Sequence, residues 1–148
     1  MSFKRKKING GLARVEKRVS HPGIVDIGII DAGDHDSGDY TVAQIGLTHE
    51  FGAGPVPERS FMRTTLSEQR KEILRIQRKL LRKMVSGKIT QNQALGLLGD
   101  WVRGKIREKI VDIRTPANSP ETLKQKAPKT NPLVDTGQLE NSITFKVS

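Results

Sequence analysis

Thr90-Gln91-Asn92-Gln93-Ala94-Leu95-Gly96-Leu97-Leu98-Gly99-Asp100-Trp101-Val102-Arg103-Gly104-Lys105-Ile106-Arg107-Glu108-Lys109-Ile110-Val111-Asp112-Ile113 is the stretch on which the fold turns. Ala94, Leu98, Trp101, Val102, Ile106, Ile110 and Ile113 recur at spacings of three and four, the repeat of one helix face. Thr90 can cap the first turn, so the spacing predicts a helix over about 91–113. Gly96, Gly99 and Gly104 oppose it, each costing roughly 1 kcal/mol relative to Ala in a helix interior. Upstream, Leu66, Ile73, Ile76, Leu80 and Met84 predict a second long helix over about 61–85, roughly 37 Å in length at the usual rise per residue. Gly87 ends it. Two long helices joined by a short turn are expected to pack antiparallel.

On either side of this pair lie strand signals. Ile24-Val25-Asp26-Ile27-Gly28-Ile29-Ile30 is rich in β-branched residues and bounded by Gly23 and Asp31. Ile143, Phe145 and Val147 alternate with Thr144 and Lys146, the pattern of a half-buried strand. Leu12, Val15 and Val19 suggest a short helix that His21-Pro22-Gly23 breaks. Residues 31–39 read as an exposed loop. Thr41 can cap a helix bearing Val42, Ile45 and His49, which Gly52 and Gly54 stop. Pro55 and Pro57 make the following segment extended. Residues 114–134 read as a proline-rich loop with one helical turn opening at Ser119-Pro120-Glu121. Asp135 or Thr136 could cap another turn through Glu140. The expected class is α+β, two long antiparallel helices on a small antiparallel sheet, with residues 1–11 a mobile basic arm and 12–148 a single domain.

With 148 residues the chain can bury a sizeable core. It has no cysteine, which removes disulfides, thiolate metal sites and cysteine nucleophiles together. No apolar run approaches the length of a bilayer span, and no signal-like segment follows the basic N-terminus, so no membrane association is expected. The net charge of +10 points to phosphate, an acidic protein surface or an anionic membrane. Arg70, Lys71, Arg75, Arg78, Lys79, Arg82 and Lys83 lie mostly off the apolar stripe of the 61–85 helix and are candidates for contact with a partner or DNA. A solvated helix face is the plainer reading of the same residues. With only Phe3 inside a basic run, stacking on single strands has little support.

The remaining polar clusters fail specific chemical tests. Asp31, Asp34, His35, Asp36 and Asp39 lack the glycine and terminal glutamate of a calcium loop. His49-Glu50 begins like a zinc-protease helix, but position 53 is Ala where the second histidine is needed. Gly52-Ala53-Gly54 has no phosphate-loop continuation. The reading is therefore of a protein without cofactor, metal or catalytic residues.

Three blocks carry a resemblance. His49-Glu50-Phe51-Gly52 followed by Pro57-Glu58-Arg59-Ser60-Phe61-Met62-Arg63 is one. Asn118-Ser119-Pro120-Glu121-Thr122 with Lys126 is the second. Pro132-Leu133-Val134-Asp135-Thr136-Gly137-Gln138-Leu139 with Asn141-Ser142-Ile143 is the third. Taken in this order, over residues 24–148, they resemble the phage virion-morphogenesis and tail-completion proteins. Ser60 departs from that pattern, which usually has Pro there.

The resemblance implies a structural virion protein of the head–tail neck or tail end, made in the host cytoplasm. It implies a ring, in such proteins commonly of six copies, around the DNA channel. Its expected partners are further copies of itself, an adaptor or head-closure protein, a tail terminator or tail tube protein, and the DNA that passes through. The family-motif positions are His49, Glu50, Phe51, Gly52, Pro57, Arg59, Phe61, Asp135, Thr136, Gly137, Leu139 and Ser142. Charge alone supports a second reading, a basic nucleic-acid-binding module.

Overall fold

Thr90 caps a helix as its sequence suggests: its side chain accepts from the Gln93 backbone, and the Gln93 side chain accepts from the Thr90 backbone. The helix that follows, α5, runs over Gln91–Asp112 in a computed structural model that describes residues 9–19, 23–30, 32–34 and 38–148. The elements in chain order are α1 (Asn9–Val19), β1 (Val25–Ile29), α2 (Val42–Phe51), α3 (Met62–Glu68), α4 (Arg70–Val85), α5, α6 (Pro120–Lys126), α7 (Gln138–Ser142) and β2 (Ile143–Val147). The class is α+β.

Helix α5 is the hub, touching both strands as well as α3, α4 and α7. Its Ala94, Leu98, Val102, Ile106 and Ile110 are buried together with Val42, Phe61, Leu80, Leu133, Leu139 and Ile143. The strands form a two-stranded antiparallel sheet pairing Val25 with Val147, Ile27 with Phe145 and Ile29 with Ile143. Gly99 explains one of the opposing glycines. A Cβ there would lie 2.6 Å from the Phe145 ring and 2.9 Å from Val25, so glycine lets the helix seat closely on the sheet. Gly96 and Gly104 face open space and have no such role.

The expected helix over 61–85 is instead two. It breaks at Gln69, whose ψ of 2° leaves the helical region, into seven-residue α3 and sixteen-residue α4. Thr64-Thr65 lowers the local helix propensity, and the Thr65 hydroxyl donates back to the Phe61 carbonyl at 2.6 Å, a bond that bends helices. Beyond the break, α4 returns through residues 86–90 into α5. Lys109 near the end of α5 meets Glu68 at the end of α3 at 2.6 Å, so α3 lies against the C-terminal part of α5.

The N-terminal helix starts at Asn9, so residues 9–11 belong to it and not to an arm; residues 1–8, the rest of that expected arm, lie outside the described residues. Arg18 of α1 donates to the Val85 carbonyl at 2.8 Å and so satisfies the end of α4. Of the 21–23 break and the 31–39 loop, His21, Pro22, Asp31, His35, Asp36 and Ser37 also lie outside the described residues. The single turn expected at Ser119 is the seven-residue α6, with Ser119 accepting from Thr122. Neither Asp135 nor Thr136 is the cap of α7. That position is Gly137, at φ 84°, a left-handed conformation that glycine adopts without cost. Thr136 accepts from Gln138 at 3.3 Å one position earlier.

Candidate functional site

The C-terminal end of α2 is where the distant blocks of the sequence meet. Gly52, at φ 72°, turns the chain out of α2, and a Cβ there would sit 2.9 Å from the Glu58 nitrogen. Ala53 and Val56 then exchange backbone hydrogen bonds, each 3.0 Å, and the Arg59 amide donates to the His49 carbonyl at 2.7 Å. Residues 59–63 are thereby returned alongside 49–50.

Glu50 is only 4% exposed and its charge is fully engaged. Oε1 accepts from Ser60 Oγ (3.0 Å), the Arg63 amide (2.9 Å) and Arg63 Nε (3.1 Å). Oε2 accepts from the Met62 amide at 2.9 Å. Phe61 stands at the start of α3 and offers no capping side chain. The Glu50 carboxylate, eleven residues upstream, supplies the cap and the negative charge that a helix N-terminus favours. Burial alone would raise its pKa. The Met62 and Arg63 amides, the Ser60 hydroxyl and the Arg63 guanidinium together outweigh burial and hold it below the ordinary value. Arg63 also donates to the Glu50 carbonyl (2.6 Å), pairs with Glu58 (2.8 Å) and lies over the Phe51 ring at 4.3 Å.

Arg59, also 4% exposed, forms a second node. Its Nε donates to the Pro116 carbonyl (2.7 Å), and Nη2 donates to the Ala117 carbonyl (2.9 Å) and Asn118 Oδ1 (3.2 Å). Nη1 approaches His49 Nδ1 at 3.2 Å. An arginine has no acceptor, so His49 Nδ1 must be the unprotonated nitrogen of this pair. Burial, then the Arg59 charge, then the Lys126 charge push the His49 pKa down to about 4, and the ring is neutral at pH 7. Burial also lowers Arg59 from its ordinary value.

Between these nodes and the C-terminal blocks lies a cavity of about 420 Å³. His49, Pro57, Arg59, Asn118, Lys126, Asp135, Thr136, Gly137 and Leu139 are among its lining residues, drawn from all three blocks. Lys126 donates to the Asn131 carbonyl at 3.2 Å, and burial lowers its pKa more than the nearby Asp135 raises it.

No family model, curated protein or solved structure matches this chain.

The twelve motif positions do not share one role. His49, Pro57, Arg59, Asp135, Thr136, Gly137 and Leu139 line the cavity; Glu50 and Gly52 set the turn and the α3 cap; Phe61 is fully buried in the core. Phe51 is exposed beneath Arg63, and Ser142 donates back to the Leu139 carbonyl at 2.7 Å. His49 does not bond locally, as a helix-end residue would, but meets Arg59 ten residues on.

Arg70, Lys71, Arg75, Arg78, Lys79, Arg82 and Lys83 are all exposed along α4, and none lines the cavity. Arg75 pairs with Glu72; the other six make no salt bridge among the described residues. Among the described residues no three His, Asp or Glu side chains are grouped as metal ligands, and no helix is long and apolar enough to cross a membrane.

Two contributors were not legible in sequence. Asn131 holds the approach to Leu133, its Oδ1 accepting from the Leu133 and Val134 amides while Nδ2 donates to the Val111 carbonyl. Its place before Pro132 was the available signal, since Asn in such turns bonds its own downstream backbone. Arg63 closes the first block of the resemblance, but nothing in the order of residues marks it as the partner of Glu50.

Proposed function

We propose that this chain is a structural component of a phage particle, in the head–tail neck or at the tail end, and that it works as a ring around the DNA channel. The observation that carries the reading is convergence. The blocks at 49–63, 118–126 and 132–143, on which the resemblance rests, come together at one end of the fold and contribute to the lining of one cavity. Their charged side chains are spent on holding segments together: Glu50 on the start of α3, Arg59 on the 116–118 loop. That is an architectural use of polar residues, and it supports a protein whose work is to present rigid surfaces to copies of itself, to an adaptor or head-closure protein, and to a tail terminator or tube.

The outer face of α4 suits such a contact. Leu74, Leu81 and Val85 are exposed along it among six cations that make no salt bridge among the described residues. The direct test removes the chain from a phage that encodes it. Electron micrographs should then show heads and tails that fail to join, or incomplete tail ends. Infectious particles of normal form would sink the proposal.

The same cations favour a second reading, a nucleic-acid-binding module. Duplex DNA binding by the isolated protein, with a steep loss on raising salt and no assembly with neck proteins, would favour it over the first.

A further inference from the structure

We propose that the cavity beside Arg59 is a carboxylate-binding site, built to take one acidic group of a partner protein. The proposal stands on the cavity's own chemistry and is independent of the virion reading.

Arg59 is a buried charge without a counterion among the described residues. Every bond it makes is to a carbonyl, an amide oxygen or the neutral His49 ring, and among the described residues no salt bridge reaches it. A buried cation is ordinarily paired with an acidic group. Four of its five N–H donors are engaged, leaving one on Nη1.

Asn118 adds a second unmet donor. Its Nδ2 is buried and has no hydrogen-bond partner among the described residues. The amide cannot be reversed to cure this, because Oδ1 must face the Arg59 donor at 3.2 Å. Lys126 lines the same cavity and uses one of its three donors, on Asn131. Arg59, Lys126 and Asn118, which between them carry a positive charge, a second cation and an unmet amide N–H, all line one space, and a single anion seated there would answer all three.

The walls select the kind of anion. Ile45, Pro55, Val56, Pro132 and Leu133 give the cavity apolar sides that suit the methylene stem behind a carboxylate. Asp135 stands on the same wall and already offsets Lys126 and Lys129. It opposes a polyanionic phosphate backbone more than a lone carboxylate, and flanking sugars would not enter between prolines.

The test is NMR on the intact protein, following the Asn118 side-chain NH₂ and Arg59 Nε–H signals. The probes are N-acetyl-leucine as a chain-end carboxylate, N-acetyl-glutamine's acidic counterpart N-acetyl-glutamate α-amide as a side-chain carboxylate, N-acetyl-leucine amide as the uncharged control, and inorganic phosphate. Saturating shifts with either carboxylate and none with the control are expected, and the tighter of the two identifies the source. Lys126→Gln should weaken that binding about tenfold, the loss of one charge-assisted hydrogen bond.

Asn118→Asp places a carboxylate in the cavity from within. It should raise the melting temperature and abolish the probe shifts at Arg59 Nε–H, the signal that this variant retains. Equal shifts with the control, tighter binding of phosphate, or no saturable shift with any probe would each overturn the proposal. So would an Asn118→Asp protein that binds the carboxylates as before.

Discussion

Acidification from pH 7 to pH 5 should weaken this fold through one side chain, His49. Its folded pKa of about 4 lies below the ordinary 6.5, so the unfolded chain takes up a proton that the folded ring refuses. The stability associated with the neutral ring is complete above pH 6.5 and is lost progressively as the pH falls to about 4. Proton linkage over that shift gives about 2 kcal/mol at pH 5, and screening at the partly exposed ring reduces this to about 1–2 kcal/mol. The cause is geometric. A protonated ring would present Nδ1–H to the Arg59 guanidinium 3.2 Å away, one cation against another with a lost acceptor between them. The assay is urea denaturation of the wild type and His49→Gln at pH 7 and pH 5. Glutamine can still accept from Arg59 but does not titrate, so the variant should lose about 1–2 kcal/mol less than the wild type over the interval. Glu50 does not blur the comparison, because its depressed pKa places its contribution at lower pH. Equal losses in the two proteins would refute the reasoning.

Glu50→Ala should cost about 3 kcal/mol in denaturant melts, since it strips the cap from α3 and leaves Arg63 without its buried partner. Gly96→Ala and Gly104→Ala should each stabilise by about 0.5–1 kcal/mol, whereas Gly99→Ala should destabilise because its Cβ would strike Phe145; thermal melts of the three separate an open helix surface from a close packing. Thr90→Ala should cost about 1 kcal/mol through loss of the α5 capping box, measurable in the same melts. Exchanging Arg78, Lys79, Arg82 and Lys83 for Glu should leave the melting temperature nearly unchanged, because all four are exposed, yet reduce binding to the acidic neighbour or DNA proposed for the α4 face, with a shallower salt dependence by titration.

The elements with local signals were readable from the chain. Thr41 and Thr90 each carry a glutamine three residues later, and both close capping boxes. The alternation in 143–147 produced β2, and the β-branched run after Gly23 produced β1. What escaped depends on partners distant in sequence. The 61–85 stripe steps seven residues from Leu66 to Ile73 and so passes over Gln69, a gap that still fits one helix face, while the Thr65 hydroxyl that bonds backwards beside it leaves no mark on apolar spacing. Gly99 looked like a defect until Phe145 was placed against it. The site was legible as motif positions but not as chemistry: nothing in the order of residues says that Arg59 lacks a counterion, or that Glu50 caps a helix it does not belong to. Those facts arise only when 49–50, 59–63 and 116–118 are brought together.

The pairing of β1 with β2 has a bearing on the order of events in folding. Every helix from α2 to α7 lies between the two strands, and Ile24 and Ser148 exchange backbone hydrogen bonds at 2.9 and 3.0 Å. The sheet is therefore among the most non-local contacts the chain makes, and a chain emerging from the ribosome can build α2 to α5 long before β1 finds its partner. Until then β1 presents an open edge and Ile27 and Ile29 to the surroundings. Closure has to wait for the last strand to emerge, so ribosome stalling or premature termination within 143–147 would release a chain with its helices built and a sticky edge exposed.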